Sequence, residues 1–83
     1  MIKSTDNLAP GDRILVPAKE ATGQPVPVKV RAVHRYIPGI MQSYARTAGH
    51  DRVVSFEYIA SDGYRAGVIS DITAPADATW QLV

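Results

Sequence analysis

The stretch "VPVKVRAV", residues 26–33, carries the clearest secondary-structure signal in the chain. Its first three valines alternate with a proline and two cations, and this period of two predicts a β-strand with one buried face. After Arg31 the alternation slips by one position, because the larger apolar residue is Val33 rather than Ala32. We therefore expect a β-bulge near Ala32.

The segment before this strand predicts a turn that leads into another strand. In "LAPGDRILVP", residues 8–17, Pro10 presets φ for a turn and Gly11 accepts a positive φ. Ile14 and Val16 then share one face of the strand that follows.

Three further strands are predicted towards the C-terminus. "RVVSFEYIA" (52–60) alternates apolar and polar residues, and "SDG" (61–63) is a hairpin signal that leads into "YRAGVI" (64–69). "TWQLV" (79–83) closes the chain with Trp80 pointing inward. Five short strands separated by turns predict an all-β protein, and closure into a small barrel would remove the exposed sheet edges.

Composition limits the classes of protein to which the chain can belong. With 83 residues, of which 46% are hydrophobic and 20% charged, it is expected to form one globular domain, residues 1–83. There is no cysteine, which excludes disulfides, thiol catalysis and iron–sulfur clusters. No apolar run is long enough for a membrane span or a signal peptide, so we expect a soluble cytoplasmic protein that does not enter a membrane.

The opening "LAPGDRILV", the valine-rich strand, a long connection, the "SDG" hairpin and a terminal strand together resemble small SH3-like β-barrel proteins of actinobacteria and their phages. The resemblance implies an SH3-like barrel of five or six strands and an origin in a phage or bacterial accessory gene. It carries over no functional residue.

One connection is much longer than the loops of a minimal barrel. This excursion, "HRYIPGIMQSYARTAGHD" (34–51), joins two predicted strands. Its apolar residues recur at helical spacing, which predicts a two-turn helix at about 40–48 ended by Gly49. Connections longer than about 12–15 residues are usually functional or contain structure of their own.

The excursion and its flanks also concentrate positive charge. The net charge of the chain is +1, but residues 29–52 hold five cations and one carboxylate, a net of +4, whereas residues 53–83 hold one cation and four carboxylates, a net of −3. Tyrosine, arginine and methionine are enriched at protein interfaces. We therefore hypothesise a non-enzymatic protein that binds a host or viral protein through the excursion. The resemblance adds the expectation that it is a phage-encoded accessory protein. The candidate binding residues are Arg31, Arg35, Tyr36, Met41, Tyr44, Arg46 and Arg52.

Three alternatives remain open at this point. The arginines and tyrosines of residues 29–52 are also suited to weak nucleic-acid binding, with phosphates on the cations and bases stacked on the rings. Ile40, Met41 and Tyr44 are also suited to plug one end of the barrel. An unprotected edge strand would allow a homo-oligomer.

Nothing in the sequence indicates catalysis. His34, His50 and Asp51 form the only combination suited to acid–base or metal chemistry, and they lack a firm third metal ligand. The serines lie outside any nucleophile elbow, and the glycines form no phosphate-binding loop. We expect no enzymatic activity, no metal and no cofactor.

Overall fold

The computed structural model describes residues 1–17, 25–35, 39, 42, 49–59 and 66–83. Within these ranges the chain forms six β-strands and a single turn of 3₁₀-helix at Thr5–Asn7. The strands are β1 (Ile2–Ser4), β2 (Arg13–Val16), β3 (Val26–His34), β4 (Arg52–Tyr58), β5 (Ile69–Ala74) and β6 (Thr79–Gln81). The predicted all-β class is confirmed.

The strands form two antiparallel sheets. Strands β2, β3, β4 and β5 make a four-stranded sheet in chain order, and β1 pairs with β6. A bridge between Ile14 and Leu82 joins the two sheets, and the Val83 N–H donates to the Arg13 carbonyl at 3.0 Å. No pairing within the described ranges closes the strands into a ring, so the SH3-like barrel stays a prediction.

The predicted turn before β2 is present and is anchored on β3. The Asp12 N–H donates to the Ala9 carbonyl at 3.0 Å, and Gly11 has a φ of 96°. The Asp12 carboxylate accepts from the Ala9 N–H at 2.9 Å. The Gly11 N–H donates to the Val30 carbonyl at 2.9 Å, and the Val30 N–H donates to the Asp12 carbonyl at 2.8 Å. The turn is therefore fixed against the middle of β3.

The predicted bulge follows directly after this anchor. Val30 lies opposite Phe56 on β4. Val33, three positions later, lies opposite Val54, which is only two positions away on β4. Arg31 is the additional residue, and the bulge is confirmed. Because it absorbs one position, Val33 faces the same side as Val30 and packs against the core.

The hydrophobic core lies on one face of the four-stranded sheet, and β6 and the segment after the 3₁₀-helix contribute to it. Alternate residues of β2, β3 and β4 point inward as the sequence pattern predicts, and so does Trp80. The buried core residues are Leu8, Ile14, Val16, Val26, Val28, Val30, Val54, Phe56, Tyr58, Ala74 and Trp80. Phe56 and Tyr58 contact each other edge to face, with ring centroids 5.5 Å apart.

The strand predicted at 64–69 is misplaced. The structure places β5 at Ile69–Ala74 and puts Gly67 in a turn with a φ of 86°. The Gly67 N–H donates to the Tyr58 carbonyl at 2.8 Å. A positive φ of this size does not fit a regular strand, so the strand begins only after the turn. The predicted hairpin at 61–63 lies outside the described residues.

Of the residues in the helix predicted at 40–48, only Gln42 lies within the described ranges. Gln42 is helical, as is Gly39 just before the predicted start. The other residues of that prediction lie outside the described ranges. In the part of the chain that the structure describes, no helix is long and apolar enough to cross a membrane.

Candidate functional site

A groove lies between the segment after β1 and the C-terminal half of β3. It has a volume of about 370 Å³ and is open to solvent. Ligand pockets in proteins span about 300–1,000 Å³, so the groove has room for a short stretch of peptide. Its lining residues are Asp6, Leu8, Pro10, Ala32, Val33 and Arg35. The described lining of the groove thus combines four apolar residues with one acidic and one basic side chain.

The groove follows a part of β3 that has only one neighbouring strand. Strand β2 pairs with β3 as far as the Arg13–Lys29 pair, and the turn bonds to Val30. Beyond the bulge, β3 pairs with β4 alone within the described ranges. The edge of β3 that faces away from β4 therefore begins at Arg31.

The backbone of Val33 points into this edge. Successive antiparallel pairs alternate between hydrogen-bonded and non-hydrogen-bonded types. The polar backbone groups of Val30 bond to the turn, so Val30–Phe56 is a non-hydrogen-bonded pair. Two pairs further along the ladder, Val33–Val54 is of the same type. The N–H and C=O of Val33 consequently face the groove, where no described residue bonds to them.

The acidic side chain of the groove is held by an arginine of β4. Arg52 Nε lies 2.8 Å from Asp6 Oδ1, and Arg52 Nη2 lies 3.3 Å from Asp6 Oδ2. The hydrogen bonds from Arg52 lower the pKa of Asp6 below its ordinary value, and Asp6 in turn raises the pKa of Arg52. Arg52 also contacts the Asp51 carboxylate at 3.3 Å, and its side chain is only 15% exposed. Arg52 thus ties the 3₁₀-helix to the start of β4.

The basic side chain of the groove is in a different situation. Arg35 is exposed, and within the described part of the chain it makes no hydrogen bond or ion pair. It lies close enough to Asp6 for its charge to contribute to lowering the pKa of that carboxyl. Because Arg52 already occupies both oxygens of Asp6, the donors of Arg35 are available to a ligand.

A cationic surface separate from the groove lies on the face of the sheet opposite the core. Arg13 on β2 stands directly opposite Lys29 on β3, and Arg31 follows two positions later. Lys29 Nζ lies 4.0 Å from Glu57 Oε1, and all three cations are exposed. Like charges directly opposite each other destabilise a sheet. We call Arg13, Lys29 and Arg31 the outer cations.

The structure places three of the seven predicted binding residues. Arg35 lines the groove, Arg31 is an outer cation, and Arg52 is engaged with Asp6. The predicted contacts of Tyr36, Met41, Tyr44 and Arg46 lie outside the described residues. The sequence analysis did not select Asp6, Leu8 or Pro10, because no local pattern shows that they lie beside β3.

The two histidines lie at one end of the sheet. His34 is exposed and stands opposite Val53, and His50 Nδ1 lies 2.8 Å from Thr73 Oγ1. Thr73 is in turn the β5 partner of Val53. Among the residues that the structure describes, no three histidine or carboxylate side chains are grouped to hold a metal ion.

Comparison of the chain with protein-family models, with curated proteins and with solved structures found no match to any of the three. Function is therefore inferred from the groove, the outer cations and the charges around them.

Proposed function

We propose that this chain is a small, non-enzymatic binding protein of the cytoplasm, which holds a protein partner in the groove and on the adjoining excursion. Its proposed origin is a phage or bacterial accessory gene. Its proposed fold is an SH3-like barrel. Supporting the barrel, the bridge between Ile14 and Leu82 gives the continuous strand order β1-β6-β2-β3-β4-β5. A contact between β1 and β5 would complete the closure.

The groove is the observation that carries the binding function. Leu8, Pro10 and Val33 contribute apolar side chains to its described lining, and Arg35 lines it as well. Interface cores are apolar and enriched in arginine, and the residues with the largest effect on affinity lie in such well-packed pockets. The groove includes Arg35, the second residue of the excursion, so a partner held in the groove already contacts the excursion.

A capture experiment with matched variants tests this function. Four forms of the chain are immobilised and exposed to a lysate of its native host. They are wild type, Arg35→Glu, Tyr44→Ser/Arg46→Ser, and Arg13→Glu, which alters a cation outside the groove and serves as the control. We expect a protein that wild type and Arg13→Glu retain and the other two variants lose, with unchanged melting temperatures. Equal capture by all four forms would contradict the proposal. A large drop in the melting temperature of the Tyr44→Ser/Arg46→Ser variant would show that Tyr44 belongs to the core.

The outer cations support a second candidate function, weak nucleic-acid binding. Arg13 and Lys29 repel each other across the strands, and Glu57 approaches only one of them. A surface that tolerates this repulsion is suited to phosphate groups, and three contacts would give a slope of log affinity against log salt of about −2 to −3.

Titration of labelled DNA and RNA at increasing salt separates the two functions. Nucleic-acid binding predicts affinity at low ionic strength that falls with this slope and is lost in Lys29→Gln/Arg31→Gln. Absence of binding at low ionic strength removes this second candidate.

A further inference from the structure

We infer that the groove binds an extended, acidic segment of a protein partner as an additional β-strand along the edge of β3. This inference rests on the proposed protein-binding function and names the chemistry of the partner. Its three requirements are a strand edge that no described strand covers, an apolar surface beside that edge, and a cation that forms no ion pair with a described residue.

The free edge is provided by Val33. Its N–H and C=O face the groove, and neither is bonded to a described residue. On the same side of β3, Val30 already bonds to Gly11 and Asp12, so the turn closes one end of the edge. An extended peptide can therefore enter beyond the turn and pair with Val33 through its own backbone, as in other cases of strand addition.

The side chains of the groove then select the residues of that peptide. In a strand, successive side chains point to opposite sides, so adjacent residues of the peptide meet different surfaces. One residue would pack on Leu8 and Pro10, which makes an apolar side chain favourable there. A neighbouring residue would reach Arg35, whose fork of N–H donors matches a carboxylate in a bidentate arrangement.

The local charges favour an acidic partner over a basic one. Asp6 is the only carboxylate in the described lining of the groove, and each of its oxygens accepts a hydrogen bond from Arg52. A basic side chain would compete with Arg52 for the Asp6 carboxylate and would be repelled by Arg35. In the described lining a nucleic acid would meet one cation, Arg35, together with the Asp6 carboxylate, whereas the outer cations are three exposed cations.

Selected peptides test the inference. A random-peptide display library is panned against the 83-residue chain, and the strongest binder is synthesised in three forms. These forms are the unchanged peptide, a peptide with each acid replaced by its amide, and a peptide with N-methyl groups on alternate backbone nitrogens. Affinities are measured for wild type, for Arg35→Gln and for Arg31→Gln as the matched cation outside the groove. Hydrogen exchange of the Val33 amide is followed by NMR.

We expect the amide form to bind about tenfold more weakly than the acidic form to wild type and to Arg31→Gln. With Arg35→Gln this difference should disappear. The Val33 amide should exchange rapidly in the free chain and at least about tenfold more slowly in the complex. N-methylation in the register that faces β3 should abolish binding.

Two results would overturn the inference in distinguishable ways. In the first, peptides shift the resonances of Leu8 and Ala32 but bind equally well in acid and amide forms, or leave the exchange of the Val33 amide unchanged. The groove would then still be a binding site, but the proposal of an added acidic strand would be wrong. If no selected peptide perturbs the groove, both the inference and the proposed function are wrong.

Discussion

The indole nitrogen of Trp80 donates a hydrogen bond to the hydroxyl oxygen of Thr5 at 2.8 Å, in a buried contact between the two ends of the chain. Thr5 is fully buried, and its hydroxyl lies 3.3 Å from the Ala78 carbonyl, to which it donates. The Thr5 N–H donates to the same carbonyl at 2.9 Å. One threonine thus satisfies the only polar side-chain atom of the buried tryptophan and fixes the 3₁₀-helix to the segment before β6.

Thr5→Val should lower the free energy of unfolding by about 1–3 kcal/mol, because it leaves the indole N–H buried without an acceptor. Thr5→Ser retains the hydroxyl and serves as the matched control, with a smaller loss expected. In Trp80→Phe the donor is absent, so adding Thr5→Val to it should lower the stability by less than Thr5→Val does alone. Urea unfolding followed by circular dichroism measures all four variants, and additive effects would argue against the hydrogen bond.

Stability should fall in acid because of Asp6 and Asp12. Hydrogen bonds from Arg52 lower the pKa of Asp6, and the Ala9 N–H followed by Lys3 lowers the pKa of Asp12, in both cases from an ordinary value of 3.8. The folded chain therefore binds these protons less tightly than the unfolded chain. The resulting stabilisation is fully present above the unfolded pKa and is lost as the pH falls through the lower, folded pKa.

Unfolding measured between neutral pH and about pH 2 checks this dependence. Asp6→Asn and Asp12→Asn should each reduce stability at pH 7. Each should also make the fall of the free energy of unfolding at acid pH, the acid limb of the curve, less steep. Asp71→Asn, which removes an exposed carboxylate that forms no ion pair with a described residue, controls for the change in net charge. An acid limb that is unchanged in the Asp6 and Asp12 variants would contradict the assignment.

Deletion of Arg31 should be tolerated because Arg31 is the additional residue of the bulge. Without it, Val30 still lies opposite Phe56 and Val33 still lies opposite Val54, so every inward side chain keeps its face. Deletion of Lys29 is the matched control, since it removes a residue from a regular part of the ladder and shifts one side of β3 to the wrong face. We expect cooperative unfolding for the first deletion and loss of the folded state for the second. Similar melting curves for the two deletions would show that the bulge does not set the register.

Gly11→Ala should destabilise the chain by about 1 kcal/mol, because Gly11 has a φ of 96° that a side chain disfavours. An added Cβ meets nothing within 4 Å there, so the loss reflects backbone conformation alone. Gly39→Ala is the matched control in equally open space, without a positive φ and in a helical position. It should be neutral or stabilising by up to about 1 kcal/mol. Thermal unfolding of both variants tests the contrast, and equal shifts would exclude a conformational origin.

Much of the sheet could be read from local patterns. The valines of β3 and the alternating residues of β4 have the faces that their spacing predicts, and the slip after Arg31 marks the bulge. The position of β5 was wrong because its inward residues include Ser70, so the alternation is not hydrophobic along the whole strand. Strand β1 escaped prediction because three residues carry little pattern, and its partner β6 lies at the other end of the chain.

The sequence by itself determined the all-β class, the faces of three strands and the turn at Gly11, because apolar alternation sets the faces and local backbone preferences set the turn. Only the tertiary structure decided that Arg52 bonds to Asp6 while Arg35 does not, although both were equal candidates in the sequence. The same is true of the free edge at Val33, which depends on where β2 stops pairing with β3. Ion pairs and strand pairing both involve residues that are distant along the chain. The register of the sheets therefore sets which charges meet and which backbone groups are left without a neighbouring strand.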